Sequence, residues 1–250
     1  MMKLKLTLLF STFALLVYGQ EESVPVKPVM LGFKFAVNAS VFTRAVTPFD
    51  GDRERKYEHY MTGYRSSGSG GITAQLALKK GFSFEAEALF SSRGMVYRES
   101  NQRVIIVDDE GNEEFGYNYY NYNIDYIEFP LMINYKFQHL GKGSYLSGYV
   151  GVAPGTVVNR KIKVRYEEAR NGERSNGRYE ISSLNSVNPF NTSVIGGVQI
   201  DGRPVNKLVF FGDLRFNYTL MPVFDRDTSP EGRNLNTHML TVSLGFGVRF

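Results

Sequence analysis

Residues 238–250 read HMLTVSLGFGVRF, and this closing stretch decides the fold because its side chains alternate between two chemically different faces. One face is wholly apolar and carries Leu240, Val242, Leu244, Phe246, Val248 and Phe250. The other face carries Thr241, Ser243, Gly245, Gly247 and Arg249. A period of two residues predicts a β-strand. A strand with one such apolar face and an arginine on the other suits a sheet whose apolar side meets lipid.

The first twenty residues have the organisation of a secretory signal peptide. Two lysines precede an apolar run at residues 6–18, and a glycine after that run lies before two glutamates. The run is shorter than the roughly 20 apolar residues that a membrane-spanning helix needs. We therefore predict three segments, which are a signal peptide at residues 1–20, a periplasmic leader at 21–29 and one domain over 30–250.

The composition excludes several classes of site and partner. The chain has no cysteine, so it can form neither a disulfide nor a thiolate metal site, and no lipoprotein cysteine follows the signal. Loss of the two signal lysines takes the formal net charge from +4 to +2, which disfavours nucleic acid as a partner. We expect no cofactor and no metal. No later segment has an apolar run long enough for a membrane helix, so membrane insertion would require a closed barrel that pairs every backbone group.

The alternation recurs along the mature chain and predicts eight strands. They span residues 30–42, 72–79, 82–93, 123–137, 145–158, 190–200, 207–220 and 238–250. Within the fourth strand, Pro130 has no amide hydrogen and predicts a bulge or a local break in the ladder. Long and short connections alternate, as surface loops and periplasmic turns do in outer-membrane barrels. The sequence thus predicts an all-β, eight-stranded, antiparallel transmembrane up-and-down β-barrel in the cell outer membrane, with both termini in the periplasm.

An eight-stranded barrel has an interior just wide enough for side chains to fill. Charges of both signs on the inward faces are stable there only when they are paired. We therefore predict a plugged lumen in which Glu85, Glu87 and Glu128 face Lys34, Arg215 and Arg249. The inward charged set also contains Lys79, Arg93, Lys136 and Asp213, of which Asp213 is assigned to the same ion-pair network.

Three stretches resemble the PorT-like outer-membrane β-barrel family. They are YIEFPLMINYKF at residues 126–137, GYVGVAPG at 148–155 and LGFGVRF at 244–250. The resemblance implies a barrel inserted in outer-membrane lipid and supplies no catalytic motif. PorT itself is implicated in protein secretion across the outer membrane, so secretion-system proteins are implied as partners. The closing residues Phe246, Val248 and Phe250 are expected to be the signal that the barrel-assembly machinery reads.

Four functions stay open. We favour a non-enzymatic barrel whose surface loops bind a partner or present a surface, and the second hypothesis is an accessory of a secretion machine. A lipid-modifying enzyme would need a histidine with a serine and an acid at the outer rim, where His238, Asp225, Asp227 and Ser229 lie. Of the other two histidines, His59 lies in a predicted loop and His139 in a predicted periplasmic turn.

The fourth hypothesis is a soluble lipocalin-like carrier. It would reverse the two faces, with the apolar side chains turned toward an internal cavity and the charged ones toward water. A separate candidate, an acidic tip at residues 108–114, lacks the EF-hand spacing, and we interpret it as solvated rather than calcium-binding.

Overall fold

The computed structural model shows an all-β, antiparallel chain over the residues it describes. Those residues are 29–43, 60–107, 111–141, 143–170, 173–202, 204–205, 208–224 and 237–250. The predicted signal peptide and residues 21–28 of the leader lie outside them. No described helix is long and apolar enough to cross a membrane.

Ten strands form within the described residues. The first five are β1 (Val29–Phe42), β2 (Tyr60–Ala77), β3 (Phe82–Val107), β4 (Glu113–Glu128) and β5 (Leu131–Gly141). The second five are β6 (Ser144–Arg170), β7 (Glu173–Ser183), β8 (Phe190–Asp201), β9 (Val209–Thr219) and β10 (Met239–Arg249).

The backbone pairings close into a ring. β1 pairs with β10 on one side and with β2 on the other, so the first and last strands lie side by side. From β10 the ring continues through β9 and β8 to β6, and from β2 it continues to β3. β4 and β5 close it, because both pair with β3 and with β6.

The structure has two strands more than the predicted eight, because two positions in the barrel wall are each occupied by two consecutive strands. β4 and β5 follow one another across Phe129 and Pro130 and keep the same register on β3 and β6. The break falls at Pro130, as the sequence predicts, because proline cannot donate to the ladder. β7 and β8 also both pair with β6, and the chain between them spans residues 184–189.

The strands extend further than predicted at the end of the ring where the long connections lie. β3 and β4 form one long hairpin, and β6 and β7 form another, through segments that the sequence analysis assigned mainly to loops. β6 and β7 are antiparallel partners on either side of residues 171–172, which themselves lie outside the described ones. The short connections β2–β3, β5–β6 and β8–β9 lie at the opposite end, with both ends of the described chain.

The wall separates apolar from charged side chains as predicted. Val37 and Leu244 are 60% and 67% exposed on the outer face, whereas Glu85, Glu128 and Arg249 are at most 3% exposed inside. The predicted orientation of the faces is therefore confirmed, and a lipocalin-like carrier would need the reverse. Lys79 and Lys136 were also predicted to point inward, and the structure contradicts this prediction for Lys79. Lys79 is exposed beyond the end of β2, and Lys136 is half-buried with its ammonium 4.7 Å from the Tyr145 ring centroid.

Candidate functional site

Three ionic layers follow one another along the barrel axis. The layer nearest the short connections is built around Arg249. This side chain is fully buried, and its Nη2 lies 2.8 Å from Glu85 Oε1 while its Nη1 lies 3.0 Å from Asp201 Oδ1. Its guanidinium also lies 3.9 Å from the centroid of the Phe211 ring. One arginine therefore joins three strands, because β10 supplies it and β3 and β8 supply the two carboxylates.

Neutral polar side chains add further hydrogen bonds to the carboxylate oxygens that Arg249 contacts. Thr73 Oγ1 and Asn134 Nδ2 each donate a hydrogen bond to Glu85 over 2.7 Å. Gln199 Nε2 donates to Asp201 over 2.8 Å. Such donors lower the cost of burying charge, which is tolerated only where the ions are paired and hydrogen-bonded.

The middle layer joins two cations to two carboxylates. Lys34 Nζ lies 2.8 Å from Asp213 Oδ2 and 3.2 Å from Glu87 Oε1. Arg215 makes a two-pronged contact with Glu87, with Nη1 at 2.7 Å and Nη2 at 2.9 Å from its oxygens. The Tyr149 hydroxyl donates to Asp213 over 2.7 Å and accepts from Arg215 Nε over 3.2 Å. The contact of the planar Arg215 guanidinium with both Glu87 oxygens is the strong, bidentate form of an ion pair.

A third layer lies further toward the long hairpins. Arg93 Nη2 forms an ion pair with Glu128, and its Nη1 donates to Asn217 Oδ1 over 3.1 Å. Between this layer and the middle one remains a cavity of about 10 Å³ that Lys34, Arg93 and Glu128 help to line. That volume has room for about one water molecule.

The structure thus places every residue of the predicted network in the lumen, but in partnerships that the sequence did not specify. Lys34 and Arg215 meet Glu87, and Arg249 meets Glu85. Glu128 lies with Arg93 instead. Asp201, one residue beyond the predicted strand at 190–200, ends β8 and binds Arg249. The alternation of residues 190–200 continues to position 201 and could have indicated this.

Above the ionic layers, a cluster of apolar and aromatic side chains fills the lumen. This plug consists of Phe42, Met95, Tyr97, Tyr120, Tyr122, Ile124, Tyr126, Ile162, Val164, Val187, Val223, Phe224 and Met239. Its rings meet edge to face, with centroids 5.7 Å apart for Phe42 and Tyr122 and 5.6 Å apart for Phe42 and Phe224. The Tyr120 hydroxyl donates a hydrogen bond to the Glu99 carboxylate over 2.9 Å. The sequence analysis missed this plug.

The histidines give the enzyme hypothesis no assembled site among the described residues. His238 Nδ1 lies 2.9 Å from the Thr219 carbonyl oxygen, and its ring stacks on Tyr218. His139 lies in β5 beside Tyr145, at the end with the short connections. The other candidates, His59, Asp225, Asp227 and Ser229, lie outside the described residues.

No candidate metal site is found in the part of the chain that the structure describes. There, no three His, Cys, Asp or Glu side chains are placed to hold an ion. Residues 108–110 of the acidic tip lie outside that part.

Comparisons with solved structures and with family models each gave matches. Among solved structures, Neisserial surface protein A is 13% identical with a TM-score of 0.38, over 89% of this chain and 96% of that one. Ail, the attachment invasion locus protein of Yersinia pestis, was solved with the heparin analogue sucrose octasulfate. It is 12% identical with a TM-score of 0.38, over 90% of this chain and 100% of that one. A comparison with curated proteins gave no match.

A family model described as "Outer membrane protein beta-barrel domain" matches residues 18–225. It describes the wider domain family and does not distinguish the PorT-like subgroup or a role in secretion. The match covers most of the strands whose pairing closes the ring. The chain therefore belongs to the outer membrane protein β-barrel domain family.

Proposed function

We propose that the chain is a non-enzymatic integral outer-membrane protein with eight membrane-crossing wall positions, a plugged lumen, and outer hairpins that bind a partner or present a surface. The eight positions are β1, β2, β3, β4 with β5, β6, β7 with β8, β9 and β10. The observation that carries the proposal is the apolar belt on the outside of the closed ring.

The belt is defined by the exposed apolar residues of the wall, such as Phe33, Phe35 and Val37 on β1 and Leu244 and Phe246 on β10. Exposed apolar patches of this extent are rare on soluble monomers. β10 has 11 residues, and a strand of about 9–11 tilted residues crosses the hydrocarbon of a bilayer. Lipid explains why so many large apolar side chains point away from a lumen that holds the charges.

The filled lumen supports a role without transport. Three ionic layers and the plug occupy the interior, and the cavity between two of the layers has room for only about one water molecule. Eight-position barrels are narrow enough for side chains to fill them. We therefore assign the binding or presenting role to the outer hairpins rather than to a channel.

The proposed orientation places the short connections and both termini in the periplasm, after removal of a signal peptide at residues 1–20. Outer-membrane barrels have short periplasmic turns and long external loops, which matches the asymmetry of the connections. The proposed partners are outer-membrane lipid around the belt and the assembly machinery at Phe246, Val248 and Phe250. Phe246 and Phe250 are exposed beside Phe35 and Phe33 of β1, with ring centroids 6.2 Å apart in each pair. Secretion-system partners rest on the PorT-like resemblance alone.

Fractionation and gel mobility test the proposal. We expect the mature chain in the outer-membrane fraction, released by detergent but not by alkaline carbonate. We also expect its mobility on a denaturing gel to change on boiling, because a closed barrel resists detergent until it is heated. Release of the chain as a soluble protein without detergent would overturn the membrane assignment. Steady ion currents from the wild-type chain in planar bilayers would overturn the plugged lumen.

A further inference from the structure

The strand β7 ends the part of the sheet that rises above the belt. It pairs with β6 along one edge, and within the described residues no strand pairs with its other edge. Lower down, the chain that follows β7 is still held by its neighbour, through the bridge between Val187 and Phe224 and the hydrogen bond from Asn188 N to Val223 O. Above that level, β7 has an open edge.

Alternate residues of β7 direct their backbone groups to this open edge. Leu184 N donates a hydrogen bond to Arg160 O over 3.2 Å, in the register of the β6–β7 ladder. Bonded and non-bonded residue pairs alternate along an antiparallel ladder. Residues 179, 181 and 183 therefore direct their N–H and C=O groups away from β6. The register shifts on the N-terminal side of Tyr179, which limits the regular open edge to residues 179–183.

The side chains of the open edge leave its backbone accessible. Tyr179 and Ile181 are 63% and 64% exposed, and residues 179–183 contain neither proline nor lysine. Natural edge strands are commonly protected by such residues, and an exposed apolar edge is a template for pairing with another chain. The open edge is thus suited to the addition of a further strand.

The open edge lies in water rather than in lipid. Through Lys163, Ile181 shares a row with Asn121 of β4, which lies six residues beyond Ile127 of the belt, or about 20 Å along the strand. Hydrocarbon does not tolerate unpaired backbone groups. The occupant of the edge is therefore a polypeptide outside the membrane, because a polypeptide can both donate and accept backbone hydrogen bonds.

The charges beside the open edge select the chemistry of that polypeptide. On the outer face, residues of the edge lie opposite cations of β6, in the pairs Lys161–Ser183, Lys163–Ile181 and Arg165–Tyr179. Both lysines are exposed. Asp125, on the same face below them, already accepts hydrogen bonds from Ser92 and Asn159. An added strand would lie two strand spacings, or about 10 Å, from β6, so that its acidic side chains would come within reach of the lysines.

We propose that the open edge of β7 binds an extended acidic segment of a partner protein, which adds to the sheet as a further strand. An apolar side chain of the segment packs on Ile181, and acidic side chains on either side of it face the cations of β6. A second copy of the chain is a poorer occupant, because its own residues 179, 181 and 183 carry no carboxylate and its β6 would bring further cations. This inference deepens the proposed partner-binding role of the outer hairpins and rests on that function.

The test uses the full-length mature chain in phosphatidylcholine nanodiscs and a synthetic peptide probe, acetyl-TETVTET-amide. Its two glutamates and its valine share one face, and its threonines favour an extended chain. Fluorescence polarisation measures binding, and the infrared band of an isotope-labelled valine carbonyl reports strand addition. We expect a peptide N-methylated at the valine and both glutamates to bind at least about tenfold more weakly, because it cannot donate the backbone hydrogen bonds.

Variants of the chain separate the backbone contribution from that of the charges. Ile181→Pro removes an N–H that does not bind β6 and should weaken binding about tenfold, whereas Ile181→Ala keeps that N–H and should weaken it less. K161Q/K163Q should also weaken binding about tenfold at low salt, and the control K79Q/K80Q, at the opposite end of the barrel, should bind like wild type. Gel mobility before boiling shows that each variant is a folded barrel.

The other outcomes contradict the inference. Equal binding of the plain and N-methylated peptides would show that charge alone holds them, and absence of binding to wild type would also overturn the proposal. Association of wild-type nanodiscs without peptide, abolished by Ile181→Pro, would identify a second copy of the chain as the occupant instead. In each case the membrane assignment stays intact, whereas a chain that stays soluble without detergent would overturn the proposed function itself.

Discussion

Arg249 Nη2 donates a hydrogen bond to Glu85 Oε1 over 2.8 Å, although 164 residues separate the two in sequence. Both side chains are at most 1% exposed. β10 and β3 are not neighbours in the ring, so the contact crosses the lumen between wall positions that share no backbone hydrogen bonds. The ion pair therefore joins the last strand to the third from inside the barrel.

Replacement of Arg249 should destabilise the protein strongly. Arg249→Leu leaves Glu85 and Asp201 buried without their cation, and removal of one partner of a buried pair costs about 3–5 kcal/mol. The free energy of unfolding can be measured by urea titration in lipid vesicles. Arg178→Leu is the control, because Arg178 is 76% exposed in its pair with Glu180 and such pairs contribute about 0–1 kcal/mol. Equal effects of the two substitutions would contradict the role given to the lumen pair.

The sequence could predict which face each of these side chains occupies, because a period of two residues settles the question within one strand. Arg249 and Glu85 both lie on predicted inward faces and are buried. Their partnership could not be predicted, because it depends on the stagger of strands around the ring, which sets the depth of each residue in the lumen. Glu128 shows the consequence, since a shared face did not reveal that Arg93 lies at its height.

The plug was missed for a different reason. Residues 117–126 read YNYYNYNIDY, a composition typical of exposed segments. Tyr120, Tyr122, Ile124 and Tyr126 nevertheless alternate with polar residues, and all four are buried. The period was visible, but the face with the tyrosine rings is covered by side chains from across the lumen, such as Phe42 and Phe224, and the sequence alone does not bring these together.

A charge in the middle of the belt distinguishes a lipid-facing wall from a water-facing one. Val37 is 60% exposed and pairs with Leu244, near the middle of β10. Val37→Arg should destabilise a barrel in lipid by about 2–4 kcal/mol, because arginine is costly at the bilayer midplane. Folding in vesicles, followed by gel mobility without boiling, measures this effect. Val107→Arg is the control, since Val107 is also exposed but ends β3 far above the belt. An unchanged stability of Val37→Arg would contradict the lipid-facing belt.

Gly247 makes room for the Arg249 layer. A Cβ atom at this position would collide with the Phe33 carbonyl oxygen and with the Phe211 ring, over which Arg249 lies. Gly247→Val should therefore destabilise the barrel by about 1–3 kcal/mol through overpacking. The folded fraction in vesicles measures the loss. Gly196→Ala is the control, because the nearest atom to its added Cβ is the Tyr149 carbonyl oxygen at an ordinary 3.5 Å. Similar losses in the two variants would show that the effect does not come from crowding of the lumen at Gly247.

The plug and the ionic layers should make separable contributions to stability and to closure. Tyr122 is 1% exposed at the centre of the plug, and Tyr122→Ala should lower the free energy of unfolding by about 3–5 kcal/mol. The lumen should stay closed, because the ion pairs of Lys34 and Arg93 still fill it below the new cavity. Planar-bilayer recordings of Tyr122→Ala are therefore expected to show no steady current, as in the control Phe115→Ala, whose ring is 49% exposed on the hairpin. A steady current in Tyr122→Ala alone would mean that the plug, and not the ionic layers, seals the barrel.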